Sequence, residues 1–397
     1  MFERQKITHS FLGYKTLSSI FLVLILSFYT PNVNAQSSKT LLFVGTYTDA
    51  KPSNGIYIFE FDTSNGNLLL LSTGNDIVNP SFLTLSPHGD YLYACTESKM
   101  PGLGSVSAFK VNSTKGSITF INKQNSGGEN PVYVSTSKHN EYVICANYTG
   151  GTIAAFPTRT DGGIHPYNQA ISIQGGSINP RRQDKAHPHA AVFAPEFDNV
   201  FFPDLGSDKI RNYLFNSTAI APLSSIDTLD VLTTPGSGPR HLVFHPNHKF
   251  AYCIEELSGT VMAYRYEKGI LDSLQRIFSY SKVQEEYNSA DIHISPDGLF
   301  LYASNRWENE NTISIFAIDT LTGKLMLKGH QPTHGDHPRS FTIDPSGKFL
   351  LVANQVTNNI VVFHRDERTG LLMKIGKETH VPNPSSLKMR KYKASLD

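Results

Sequence analysis

Apolar and polar residues alternate along this chain in a unit that recurs about every 50 residues. Each unit opens with a small, polar or His residue that is usually followed by Pro. A short alternating apolar run comes next, then a tight turn, then a second apolar run that ends in polar residues. Alternation with a period of two between turn residues is typical of paired β-strands. Six units are complete, and they begin at residues 79, 130, 187, 238, 288 and 337.

A seventh unit is divided between the two ends of the chain. Residues 383–389 (NPSSLKM) carry its opening, and residues 41–47 (LLFVGTY) carry its apolar run and polar end. A repeat of this length, with two further strand-like runs per unit, predicts an all-β fold: a seven-bladed β-propeller of four-stranded antiparallel blades. We expect the C-terminal segment to pair with the N-terminal blade and close the ring, because closure leaves no open sheet edge.

The unit that begins at residue 79 illustrates the predicted blade. The turn sequence PHGD joins its first two strands into a hairpin, because Pro, Gly and Asp favour tight turns. In a propeller the innermost strands surround a central channel. The four predicted strands are 81–86 (SFLTLS), 91–97 (YLYACTE), 105–111 (SVSAFKV) and 117–123 (SITFINK).

The hairpin geometry brings two positions of every unit to the same end of that channel. They are the residues one and seventeen positions after the second residue of the unit. We expect one channel mouth to be lined by Ser81 with Glu97, Val132 with Tyr148, His189 with Leu205, Arg240 with Glu256, Ala290 with Arg306, Arg339 with Gln355, and Ser385 with Tyr47. Neighbouring positions add His187, Asp204, His241, Asp291, Asn305 and Asn354.

Three arginines, Arg240, Arg306 and Arg339, converge on this mouth. They repel one another unless carboxylates or an anionic ligand offset their charge, since buried charge needs a partner. The guanidinium fork suits carboxylate or phosphate, so the pattern predicts an anion-binding site. The structural alternative is an Arg and a Glu that brace two strands. A metal site at His187, His189 and Asp204 is a weaker alternative, because no familiar ligand spacing completes it.

The N-terminus has the pattern of a targeting segment. Residues 1–16 carry three basic residues against one Glu, and the apolar run 17–30 is too short to span a bilayer comfortably. The small-residue site Val33-Asn34-Ala35 precedes Gln36. We predict a cleaved signal peptide over 1–35 and a single propeller domain over 36–397, periplasmic or secreted, without stable membrane insertion. The alternative is an uncleaved membrane anchor.

The composition argues against nucleic acid and anionic membranes as partners, and it supplies enough apolar residues for a large core. Apolar residues make up 39% of the chain, charged residues 17%, and the net charge is +1. This balance gives no general attraction to nucleic acid or to an anionic membrane. The three cysteines, Cys95, Cys145 and Cys253, fall in the second strands of different blades. We expect them to be buried, and too far apart to form disulfides.

Several motifs give the chain a resemblance to a known family. They are HPHAA (187–191), PDLGSDKI (203–210), GPRHLVFHP (238–246), EELSGTV (255–261), ISPDG with LYASNR (294–306) and HPRSFTIDPSGKFLLVANQ (337–355). With these motifs the chain resembles the seven-bladed lactonase family, which includes propeller-type 6-phosphogluconolactonases and carboxy-muconate lactonizing enzymes. The resemblance covers nearly the whole mature chain. It implies that the catalytic residues are His187 or His189, Arg240, Glu256 and Arg306.

The function that follows is hydrolysis of a small anionic or sugar lactone without a cofactor or a metal. Glu256 or a neutral His would activate water, and Arg240 with Arg306 would stabilise the oxyanion. We expect further substrate contacts from six residues: Asp204, His241, Arg339, Gln355, Glu97 and Tyr148. The alternatives are a muconate-type cycloisomerase, which the same residues would also suit, and a non-catalytic binding or surface propeller.

One insertion departs from the repeat. Residues 179–186 (NPRRQDKA) precede HPHAA and lengthen that unit. The insertion is expected either to cover the channel mouth and add Arg181 and Arg182 to it, or to form a solvated loop. The predicted location bears on the substrate. Phosphorylated sugar lactones are cytosolic metabolites, so predicted export argues against a phosphorylated substrate.

Overall fold

A computed structural model describes residues 38–49, 53–306 and 309–393. The predicted signal peptide, residues 1–35, lies outside the described residues. The described residues form seven antiparallel sheets, which are the blades of a propeller. No helix in this part of the chain is both long enough and apolar enough to cross a membrane.

The strands follow in chain order. Blade 1 contains β1 (Lys39–Thr46), β2 (Ile56–Phe61) and β3 (Leu68–Gly74). Blade 2 contains β4 (Phe82–Leu85), β5 (Tyr91–Thr96), β6 (Leu103–Asn112) and β7 (Ser117–Glu129). Blade 3 contains β8 (Pro131–Thr136), β9 (Tyr142–Asn147), β10 (Thr152–Pro157) and β11 (Gln169–Ser172). Blade 4 contains β12 (Val192–Phe193), β13 (Asn199–Asp204), β14 (Lys209–Phe215), β15 (Leu223–Ser225), a 3-10 helix (Asp227–Leu229) and β16 (Val231–Leu232).

The remaining blades are regular. Blade 5 contains β17 (Pro239–Phe244), β18 (Phe250–Glu255), β19 (Thr260–Glu267) and β20 (Ile270–Phe278). Blade 6 contains β21 (Ser289–Ile294), β22 (Phe300–Asn305), β23 (Thr312–Ile318) and β24 (Leu325–Pro332). Blade 7 contains β25 (Pro338–Ile343), β26 (Phe349–Asn354), β27 (Asn359–Arg365) and β28 (Leu372–His380). The last strand, β29 (Pro384–Tyr392), completes blade 1.

The ring closes through the two ends of the described chain, as predicted. β29 pairs antiparallel with β1, and the register runs from Lys39 opposite Tyr392 to Gly45 opposite Ser386. The strand order in blade 1 is therefore β29-β1-β2-β3. One blade is thus built from both ends of the chain, which removes the open edge that an unclosed sheet would present.

The residue that opens most units has a left-handed backbone. Asn79, Asn130, Gly238, His337 and Asn383 have φ angles between 43° and 64°. Glycine adopts this region without strain, and Asn and His are enriched there among other residues. This requirement explains why the units open with such residues. In these five units the left-handed conformation of one residue sets the turn into the innermost strand.

The core consists of apolar clusters between neighbouring blades. In one of them Tyr93, Cys95 and Val106 of blade 2 pack against Val143 and Cys145 of blade 3. The three cysteines are buried and free, as expected. Cys95 and Cys145 are nevertheless neighbours: burial, and then the Cys145 thiol, raise the pKa of Cys95. The two thiols belong to one core cluster between blades 2 and 3 and form no disulfide.

Blade 4 departs from the regular pattern where the functional motif lies. Its innermost strand β12 has two residues, and the preceding HPHAA segment has only an isolated bridge between Pro188 and Asp204. The backbone N–H of His189 still donates to the Pro203 carbonyl (2.8 Å), and that of Leu205 donates to the His187 carbonyl (3.1 Å). Irregular backbone thus holds both histidines at the end of the hairpin.

Candidate active site

Glu256 is the centre of a charged cluster at one end of the channel. It follows β18 and is 2% exposed. Its Oε2 accepts from Arg240 Nε (2.8 Å) and from Arg306 Nη2 (3.2 Å). Its Oε1 accepts from Arg182 Nη2 (2.6 Å). Three guanidinium groups, from β17, from the residue after β22 and from the insertion at 179–186, therefore share one carboxylate, and this cluster defines the channel mouth.

The mouth carries more positive than negative charge. Burial alone would raise the pKa of Glu256, but Arg306, Arg182 and Arg240 outweigh burial and hold the pKa well below its usual range. Burial lowers the pKa of Arg306 to about 9, and the charges of Arg240 and Arg339 add to that effect. Glu256 and Arg306 therefore stay ionised at neutral pH. A buried excess of cations favours an anionic ligand.

Arg240 has a donor to spare. Besides Glu256, it donates through Nη1 to His241 Nε2 (3.0 Å) and to the Ala290 carbonyl. Within the described part of the chain no hydrogen bond is made by its Nη2 group. Because the rest of the guanidinium is fixed and the residue is only 2% exposed, this N–H group is held in place for a ligand.

His189 is a neutral imidazole with an unoccupied nitrogen. It is 6% exposed, and its Nδ1 has no hydrogen-bond partner among the described residues. Burial, then the charge of Arg240, lower the pKa of His189 well below its usual value. Its ring lies edge-on to Tyr148 (5.3 Å between centroids) and to His241 (5.5 Å). A buried polar nitrogen without a partner is costly, and such atoms are rare in folded proteins.

His187 differs, because both of its ring nitrogens are already engaged. Nδ1 lies 2.8 Å from the Tyr148 carbonyl oxygen, and Nε2 lies 3.1 Å from Asp184 Oδ1. The ring stacks on the Tyr148 ring with centroids 4.4 Å apart and planes 13° apart. The sequence left open which of the two histidines is catalytic. The geometry leaves a nitrogen available on His189 and none on His187.

Aromatic and polar side chains form a layer next to the channel mouth. His241 Nδ1 lies 2.9 Å from Asp291 Oδ1, and Arg240 binds its other nitrogen. The His241 ring contacts those of Tyr133 (5.3 Å) and Phe82 (5.9 Å). Burial, then Arg240, lower the pKa of His241 to about 3. His241 was predicted to bind substrate. Both of its ring nitrogens are occupied, so its link to the channel mouth is the hydrogen bond with Arg240.

A second cationic group lies near the first. Arg339 on β25 donates to the Tyr47 hydroxyl (3.0 Å), and the Lys99 ammonium lies 4.3 Å from the centre of the Tyr47 ring. Arg339 and Arg306 both lower the pKa of Lys99, although burial is the larger cause. Gln355, also predicted here, has a buried Oε1 without a partner among the described residues. These groups extend the positive surface beyond Glu256.

Two of the residues predicted to contact substrate are engaged with other protein groups. Asp204 is completely buried, and its oxygens accept from the His187 backbone N–H (2.7 Å), Ser207 and Arg211. It fixes the HPHAA segment instead of facing a substrate. Glu97 bonds with Lys123 on the outer strand of its blade (2.5 Å). Its positive φ of 57° directs the chain away from the strand path, so the hairpin offset does not predict where its side chain points.

The sequence reasoning missed two residues of the mouth. His337 Nε2 lies 3.0 Å from Arg306 Nη1, and burial with the charges of Arg306 and Arg339 lowers its pKa to about 2. Its position as the opening residue of a unit, equivalent to that of His187, was a usable signal. Lys99 lies outside the two positions of each unit that the hairpin rule selects, so no sequence signal pointed to it. Asp204, a candidate ligand in the metal alternative, accepts hydrogen bonds from Arg211 and Ser207.

Within the described ranges, no group of three or more His, Cys, Asp or Glu side chains is placed to hold a metal ion. The fold and the mouth thus define a class: a seven-bladed propeller with an anion-attracting site at one end of its channel.

Comparison with known proteins identifies the family. The model of the lactonase family with a seven-bladed β-propeller matches residues 41–389, and the chain belongs to this family. It is 47% identical to a 6-phosphogluconolactonase of Formosa agariphila over 88% of this chain and 99% of that protein. It is 33% identical to a 6-phosphogluconolactonase of Bacillus subtilis over 88% of this chain and 98% of that one.

A solved structure supports the same placement. The periplasmic gluconolactonase of Pseudomonas aeruginosa superposes with a TM-score of 0.84 at 33% identity, over 90% of this chain and 100% of that chain. At this TM-score and coverage the two structures share the fold over nearly the whole chain.

Proposed function

We propose that this protein is a lactone hydrolase that opens a small sugar-derived lactone at the channel mouth. The relatives with the same fold are named for this chemistry. The observation that carries the proposal is His189, a buried neutral imidazole that makes no side-chain hydrogen bond within the described residues and lies beside the charge of Arg240. Neutral base and fixed cation are the two groups that ester hydrolysis needs.

The reaction follows from these positions. The neutral His189 imidazole accepts a proton from water while the water oxygen attacks the lactone carbonyl carbon. The carbonyl oxygen becomes an oxyanion, which accepts the spare Nη2 hydrogen bond of Arg240. Collapse breaks the ring C–O bond, and the leaving oxygen takes the proton from the His189 imidazolium. The product is the open hydroxy acid.

Glu256 serves this reaction as a counter-ion. Its two oxygens accept from three guanidinium groups, and its pKa is held low, so it is a poor proton acceptor. It offsets the charge of Arg240 and Arg306 and fixes their direction. We therefore assign the base to His189 rather than to Glu256, which the sequence had left as alternatives.

The positive mouth favours a lactone that carries an anionic group. Arg339 and Gln355, with Lys99, are placed to orient it. The signal-like residues 1–35 and a periplasmic relative favour export of a mature chain over 36–397. Export makes sugar lactones such as gluconolactone accessible, and the charge of the mouth favours phosphorylated or carboxylated ones.

A panel of lactones tests the proposal. Purified mature protein is incubated with gluconolactone, 6-phosphogluconolactone and a muconolactone, and acid release is followed at constant pH. We expect hydrolysis of at least one sugar lactone above the spontaneous rate. Conversion of muconolactone to an open muconate without water uptake would instead identify a cycloisomerase. No turnover of any lactone would favour a binding propeller.

A further inference from the structure

The inserted segment before HPHAA holds its backbone rigidly. The Gln183 side chain is 1% exposed and donates to the Leu205 carbonyl (2.9 Å). Asn179 Oδ1 accepts the backbone N–H groups of Arg181 (3.1 Å) and Arg182 (3.2 Å), and the Asn179 carbonyl accepts that of Gln183 (2.7 Å). The insertion is thus neither a simple solvated loop nor a full cover. It presents two adjacent arginine side chains from a fixed turn.

The two arginines have different partners. Arg182 reaches the channel mouth, where it donates to Glu256 Oε1 (2.6 Å) and lies 3.4 Å from the Tyr148 hydroxyl. Arg181 pairs with Glu286 (2.6 Å), and both of those side chains are more than half exposed. Only the first of the two therefore belongs to the site, although the residues are neighbours in sequence.

Arg182 is held less firmly than the other two arginines on Glu256. Its side chain is 38% exposed, whereas those of Arg240 and Arg306 are 2% and 4% exposed. If Arg182 left, Glu256 would keep both buried partners on Oε2. Glu256 Oε1 loses its guanidinium partner when Arg182 leaves, so the release has a cost that a bound anion must offset. Only the side chain has to move, because the backbone is fixed.

We propose that Arg182 is a specificity-determining residue. Its guanidinium group moves away from Glu256 and binds the anionic group of the substrate. Without Arg182, Glu256 keeps Arg240 and Arg306 on its other oxygen. The 38% exposed Arg182 side chain lies at the solvent side of a mouth with excess positive charge. An incoming phosphate or carboxylate replaces Glu256 Oε1 as its acceptor with equivalent geometry. A neutral lactone offers no such acceptor, so Arg182 remains on Glu256.

This inference rests on the proposed function and adds to it a selectivity: Arg182 distinguishes anionic from neutral lactones. Without that side chain, turnover of an anionic lactone loses a charged hydrogen bond, and turnover of a neutral lactone does not. A residue that only braced the loop would change both substrates alike when removed.

The test compares Arg182→Met with Arg181→Met as the matched control. We expect the first variant to lower kcat/KM for 6-phosphogluconolactone about 10- to 100-fold, mainly through KM, the range for loss of one charged hydrogen bond. Its kcat/KM for gluconolactone should change less than about threefold. The Arg181→Met variant should keep the wild-type ratio between the two substrates. Arg182→Lys should recover part of the loss, since it keeps the charge without the fork.

Binding separates this inference from the proposed function. Calorimetry with 6-phosphogluconate needs no turnover, and we expect its Kd to rise in Arg182→Met and not in Arg181→Met. If wild type hydrolyses lactones but both variants keep the same substrate ratio and Kd, Arg182 has no role in specificity and the inference is wrong. If wild type hydrolyses nothing, the proposed function fails, and the calorimetric comparison still decides whether Arg182 binds anions.

Discussion

Two arginine sites at opposite ends of the hairpins show what distinguishes a structural ion pair from a functional one. Arg365 on β27 donates to Asp297 (2.6 Å) and to the Gly347 carbonyl, and joins the turns of blades 6 and 7. It has one carboxylate for one guanidinium. At the channel mouth, Arg182, Arg240 and Arg306 share Glu256.

The pKa shifts of Arg365 and Arg240 have opposite signs. Burial acts against the charge of Arg365, but Asp297 and Tyr302 together outweigh burial and raise its pKa. Burial is also the largest cause for Arg240, and there it lowers the pKa, because Glu256 does not offset it and Arg339 adds repulsion. The balanced pair stabilises the fold by itself. We infer that the unbalanced cluster favours a bound anion.

The largest expected effect is the loss of kcat when His189, the proposed base at the channel mouth, is replaced. His189→Asn should lower kcat by about 10²- to 10⁴-fold, the usual contribution of a general base. His187→Asn is the matched control, since both nitrogens of His187 are engaged with oxygen acceptors. We expect a smaller loss there. Equal losses in the two variants, measured as initial rates on a sugar lactone, would contradict the assignment of His189.

The next effect contrasts the two arginine sites directly. Arg240→Ala should lower kcat by about 10²- to 10³-fold, as loss of an oxyanion donor does, with little change in the free energy of unfolding. Arg365→Ala should do the reverse: it should cost about 1–3 kcal/mol of stability through lost charged hydrogen bonds and leave kcat unchanged. Denaturant unfolding and initial rates on the same samples check both. A large stability loss in Arg240→Ala with unchanged kcat would make the mouth a structural site.

The smallest expected effect is a difference in pH window. His241 and His337 have pKa values lowered to about 3 and about 2 in the folded protein. Below pH 6.5 the unfolded chain binds protons that these histidines do not, so their contribution to stability is lost as pH falls from there. The pKa of Asp297 is also lowered, but from 3.8, so the Arg365 site weakens only below about pH 4.

A histidine variant isolates that window. Each such histidine contributes a slope of about 1.4 kcal/mol per pH unit between pH 6 and 4. His337→Asn keeps an acceptor for Arg306 and should reduce the slope of unfolding free energy against pH in that range. His248→Asn, an exposed turn position at the other end of the hairpins, is the control. Parallel curves for wild type and His337→Asn would show that the mouth histidine titrates normally.

The same contrast shows which parts of the structure a sequence predicts. The blades and their closure follow from alternation and turn residues, which are local and repeat in every unit. The pairing of Arg240 with Glu256 also followed, because regular strands of fixed length carry both residues to the same end. Glu97 was misplaced since a left-handed backbone at that residue breaks the offset rule.

Residues outside the repeat were harder to assign. The distance from Arg182 to Glu256 depends on how the insertion folds, and no periodicity constrains that path. Lys99 reaches the mouth from a turn, by packing on Tyr47, a contact between distant parts of the chain. The exclusion of His187 as a base depended on Asp184 and on a backbone carbonyl, which only coordinates reveal.

The central claim is that the excess charge at the mouth exists for an anionic ligand, and one binding measurement tests it most directly. Wild type, Arg240→Ala and Arg365→Ala are titrated with 6-phosphogluconate by calorimetry at fixed salt. We predict saturable binding to wild type and to Arg365→Ala with the same Kd, and a Kd raised at least about tenfold in Arg240→Ala. Equal Kd values in wild type and Arg240→Ala, or no binding to any of the three proteins, would contradict it.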